Sequence, residues 1–128
     1  MTPDKNRQVE IIGRYVREFR RAEVDLVGND TANDLIEATV EGEKLEIDRE
    51  PTRGRTNDTI EAVKLIFDFA GFIKTVYDIY KLFRDRNKKT PTVEELINAV
   101  QEATGKSMSG DKRDVTEKIR SDLTDEIT

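Results

Sequence analysis

The run Ala103-Thr104-Gly105-Lys106-Ser107 comes nearest to a chemical motif, because Gly-Lys-Ser closes the loop with which nucleotide-binding proteins hold phosphates. The complete loop needs a glycine five residues before Gly105, so that successive backbone N–H groups can wrap the anion. Val100 stands there instead. A phosphate loop also follows a strand and opens a helix, whereas this run ends a helical pattern. A helix-terminating glycine accounts for it.

Carboxylates gather twice, at Asp30, Asp34 and Glu37 and again at Glu41, Glu43, Glu46, Asp48 and Glu50. A calcium loop requires alternate oxygen ligands, a central glycine and a terminal bidentate acid at fixed offsets. Neither cluster keeps that register, so both read as solvated faces, and neither a metal site nor a cofactor is expected. The chain has no histidine and no cysteine. Ser-His and Cys-His nucleophile pairs and histidine-based metal sites are thereby excluded. No catalytic constellation and no small-molecule substrate follow from the residues that remain.

Two groups of cations could grip a polyanion. Arg14, Arg17, Arg20 and Arg21 form a basic ridge on the first helical segment; Lys81, Arg84, Arg86, Lys88 and Lys89 form a second patch. Neither is rich in interleaved aromatic residues, and the net charge of −5 argues against indiscriminate phosphate binding. Nucleic-acid contact through Arg14, Arg17, Arg20 and Arg21 is the alternative function. The leading one is a non-catalytic accessory or regulatory protein that works through contacts with other proteins, or with a second copy of itself. Its expected contact residues are Val115, Ile119, Leu123 and Ile127, which recur every four residues near the C-terminus. Exchange of Ile119 and Leu123 for Asp should then abolish association and leave the melting of the core unchanged.

The elements that would carry these residues follow from apolar spacing. Val9, Ile12, Val16, Phe19 and Leu26 make one stripe of a helix over residues 7–27, with an extended Glu23 to Val27 as the alternative for its end. Ile36, Ala38 and Val40 alternate, Glu41-Gly42-Glu43 interrupts, and Leu45 and Ile47 alternate again, which predicts a β-hairpin over 35–49. Asn57 to Arg86 is the strongest element, with Asp58 placed to cap it and an apolar arc too wide to be covered on one side only. Gly71 at its middle marks a close helix crossing or a bend. Its aromatic residues read as core and not as a membrane face. Thr92 and Glu95 have the spacing of a capping box for a helix ending at Gly105.

The expected fold is therefore α+β and predominantly helical, with a long central helix covered by an N-terminal helix, a hairpin and a short helix. Residues 1–105 form the compact domain, 106–110 a linker, and 111–128 an amphipathic tail helix. The 128 residues are 38% charged and 35% hydrophobic, apolar-poor for a globular chain. No run reaches the ~18 apolar residues of a membrane span, and a cytoplasmic setting is expected.

Overall fold

Gly28, Gly42, Gly105 and Gly110, all at positive φ, stand at helix ends, while a further helix break falls at Arg20 and the longest helix ends before Lys88. The computed structural model describes residues 3–42, 57–108 and 110–127. Among the described residues there are six helices: α1 Pro3–Phe19, α2 Arg21–Val27, α3 Asn29–Glu41, α4 Asn57–Asn87, α5 Val93–Thr104 and α6 Asp111–Ile127. No strand occurs among the described residues.

The expected α+β class is thus overturned: residues 35–40, expected as the first strand of a hairpin, lie in α3 together with Glu41 of the expected turn. Two features of the sequence explain the error. Ala32, Ile36, Thr39 and Val40 are the buried residues of α3, and their steps of four, three and one trace one face of a helix. Alternation appears only when the reading starts after Ala32. Gly42, taken for a hairpin turn, is a helix C-cap at φ 78°, and its N–H donates to the carbonyls of Ala38 and Thr39. Leu45 and Ile47 of the second expected strand lie outside the described residues.

The chain divides into two compact units, Met1–Lys74 and Thr75–Thr128. The expected linker at 106–110 and the tail helix both fall inside the second unit.

In the first unit α1, α2 and α3 pack on one another. The helix expected over 7–27 is interrupted at Arg20, whose φ of −127° and ψ of 37° depart from helical geometry. That break turns Val24 inward and leaves Leu26 outward, 5% and 56% exposed. Ile11, Ile12, Tyr15 and Val16 are the buried apolar side chains of α1, each contributing about 1.5–3 kcal/mol by leaving water. α1 and α3 come close at Gly13, where an added Cβ would stand 3.7 Å from Ile36 Cδ1. The first part of α4 supplies Ala62, Val63, Ile66, Phe69, Ala70 and Ile73 as buried residues. Phe19 meets Phe69 with ring centroids 6.1 Å apart.

In the second unit the end of α4 contributes Val76, Tyr77 and Tyr80 to the buried set, and α5 packs on α6. The capping box is present: the Thr92 hydroxyl accepts from the Glu95 N–H, and the Glu95 carboxylate accepts from the Thr92 N–H, each at 3.1 Å. Gly105 closes α5 at φ 69°, as its place after Thr104 required. Gly71 has no neighbour within 4 Å of where a Cβ would stand, so it serves no close helix crossing.

Candidate interaction surface

The side chains with chemical potential fall into three groups: the arginine ridge, the apolar stripe of α6, and an apolar patch near the end of α4.

Along the ridge, the guanidinium groups of Arg14, Arg17 and Arg20 are turned to structural partners. Arg14 is exposed, with its guanidinium 4.0 Å from the Glu10 carboxylate. Arg17 lies back over Gly13, donating to its carbonyl at 3.2 Å and to Asn33 of α3. Arg20 donates to the Phe19 carbonyl at 3.0 Å and sits 4.5 Å above the centroid of the Phe69 ring, a geometry suited to cation–π attraction. Arg21, exposed, lies beyond the break and opens α2. The four residues do not share one continuous helix.

The α6 stripe faces inward. Val115 and Ile119 are 0% exposed and Leu123 is 5% exposed; the side chain of Ile127 lies outside the described residues. Polar contacts fix the same helix. The Arg120 side chain donates to the Pro91 carbonyl at 2.7 Å, and Arg113 stands 3.7 Å from the Glu94 carboxylate. Met108 in the expected linker is 7% exposed, and its N–H donates to the Gln101 side chain at 2.8 Å. A partner would reach Val115, Ile119 and Leu123 only after α6 had left this place.

The third group was not singled out from the sequence. Leu82 is 50% exposed, with half-buried Ile79 and Phe83 beside it. Positions i, i+3 and i+4 of a helix are surface neighbours, so the three side chains form one apolar patch. Leu65 in the first unit is 43% exposed. All were assigned to the core because α4 is apolar nearly throughout. A finer signal was available: Leu82 has Asp78, Asp85 and Arg86 one turn away, and Leu65 has Glu61 and Asp68. Charges at i±3 and i±4 place a leucine on the wet side of a helix.

Among the described residues no three His, Cys, Asp or Glu side chains converge in a group able to hold a metal ion, and Asp30, Asp34 and Glu37 are exposed along α3. No described helix is long and apolar enough to cross a membrane. The chain matches no protein-family model, no curated protein and no solved structure.

Proposed function

We propose that this chain is a non-catalytic accessory or regulatory protein that acts by contact with other proteins, and that the contact is made at Ile79, Leu82 and Phe83. The observation that carries the reading is the patch itself. Three adjacent large apolar side chains remain partly in water on α4, Leu82 exposed and Ile79 and Phe83 half-buried beside it. Covering a leucine-sized side chain releases about 1.5–3 kcal/mol, and apolar anchors of this kind at i, i+3 and i+4 are what helix-groove recognition uses. The α6 stripe contributes indirectly, by holding its own unit together. A charge-rich surface suits a cytoplasmic setting, which belongs to the same proposal.

The test is Leu82→Ser, a change on the exposed surface, assayed by chemical cross-linking in the cells that make the protein. The reading expects adducts formed by the native chain to be lost in the variant, with melting unchanged. The same adducts from both chains would overturn it.

A further inference from the structure

The electrostatic surroundings of this patch indicate what kind of partner it takes. Between residues 78 and 89 the chain carries five cations, Lys81, Arg84, Arg86, Lys88 and Lys89, against two carboxylates, Asp78 and Asp85. Lys81, Arg86, Lys88 and Lys89 are exposed. Arg86 lies one helical turn beyond Leu82, on the same side of α4. Of the acids that follow in sequence, Glu94 faces Arg113 at 3.7 Å, and Glu95 holds the Thr92 N–H at 3.1 Å while also feeling the charge of Lys89. The end of α4 therefore presents an apolar anchor flanked by Asp78, Asp85 and Arg86, with excess positive charge just beyond it.

A second observation is independent of charge counting. Lys88 takes a left-handed backbone, φ 56°, as the chain leaves α4, and its N–H still bonds back to the Arg84 carbonyl at 2.8 Å. It is the one non-glycine residue with positive φ among those described. Glycine is the ordinary occupant of this position because any Cβ is strained there. A lysine here keeps a cation just beyond the end of α4 at a cost in stability, and backbone strain of this kind concentrates where a protein binds.

We propose that the Leu82 face of α4 docks an acidic, amphipathic protein segment, with a leucine-like side chain on Ile79, Leu82 and Phe83 and its carboxylates on Arg86, Lys88 and Lys89. This rests on the contact reading above and names its partner's chemistry.

The experiment measures binding of the full chain to a synthetic amphipathic peptide of leucine and glutamate. A peptide with lysine for every glutamate, phosphatidylserine vesicles and duplex DNA are measured beside it. The glutamate peptide is expected to bind best, and more weakly as salt rises. Lys88→Gly with Lys89→Gln should weaken it by roughly tenfold, as for two partly exposed ion pairs. Lys88→Gly alone should raise the melting temperature while lowering affinity, an opposition that a purely structural lysine would not show. Equal binding of the two peptides, preference for vesicles or DNA, or affinity untouched by the lysine exchanges would overturn the proposal. If Leu82→Ser still abolishes the cellular adducts while the peptides bind alike, the contact reading stands and the acidic partner falls. If the adducts persist in that variant, the contact reading itself falls.

Discussion

The hydroxyls of Tyr80 on α4 and Thr124 on α6 lie 3.1 Å apart. Thr124 has one proton, and it is directed to the Arg120 carbonyl at 2.7 Å, so Tyr80 is the donor and Thr124 the acceptor. Tyr80 is 0% exposed; without this partner a buried hydroxyl would be left unsatisfied. The bond joins the end of the central helix to the C-terminal helix, which makes α6 a structural part of its unit.

Tyr80→Phe removes the donor and keeps the ring. The expected loss is about 0.5–1.5 kcal/mol, the net worth of one such bond, read as a lower urea midpoint with an unchanged slope. Thr124→Val should cost a comparable amount or more, because it leaves the buried Tyr80 hydroxyl without its acceptor.

Ile119→Ala should destabilise the fold by about 2–5 kcal/mol, since the side chain is completely buried and its removal leaves a cavity. Leu82→Ser, on the exposed patch, should shift stability by no more than about 0.5 kcal/mol. Thermal melts of the two variants beside the native chain give the comparison. The burial of Ile119 and Leu123 also reverses the expectation from spacing alone: exchanging both for Asp should abolish the folded second unit.

Gly71→Ala should stabilise the protein by up to about 1 kcal/mol. The position is helical, its φ is not positive, and a Cβ there would meet nothing within 4 Å. Glycine's excess freedom in the unfolded chain is then an uncompensated cost. Gly13→Ala is expected to gain less, because its Cβ would stand 2.7 Å from the Arg17 guanidinium and drive that flexible group off the Gly13 carbonyl and Asn33.

The capping box predicts a pH dependence. The Thr92 backbone N–H and then its side chain hold the Glu95 carboxyl below its ordinary value of 4.5, with Lys89 adding to the effect. A folded pKa below the unfolded one means stability that is present above the unfolded value and lost as pH falls through the folded value. Glu95→Gln should therefore flatten the loss of stability on acidification below about pH 4.5, and at neutral pH it should lower stability by the amount the native chain loses when this carboxyl is protonated. Thr92→Ala should cost about 1 kcal/mol at neutral pH as well, through the lost cap.

Where helix signals were redundant, the sequence was read correctly. Asn57 to Arg86 agrees with α4 to one residue at its end, and the Thr92–Glu95 spacing together with Gly105 bounded α5. Reading failed where one feature fits two structures. Gly42 after alternating Ile36, Ala38 and Val40 serves a hairpin turn or a helix C-cap equally well, and Ala32 was needed to decide. Arg20 carries no helix-breaking chemistry, so the division of α1 from α2 had no local signal. Val115, Ile119 and Leu123 were seen as a stripe, but a thin stripe does not say whether its cover is the same chain. The patch at Leu82 was hidden inside an apolar helix and betrayed only by charges one turn away.

Protein contact at the Leu82 patch of α4, with the α6 stripe held inside, has a direct consequence for cross-linking. A photo-reactive side chain placed at residue 82 tests it most directly, with the same group at Glu117, exposed on α6, as the comparison. Irradiation in the cells that make the protein should give a discrete protein adduct from position 82 and none from position 117. No adduct from 82, or the same adducts from both positions, would contradict the claim.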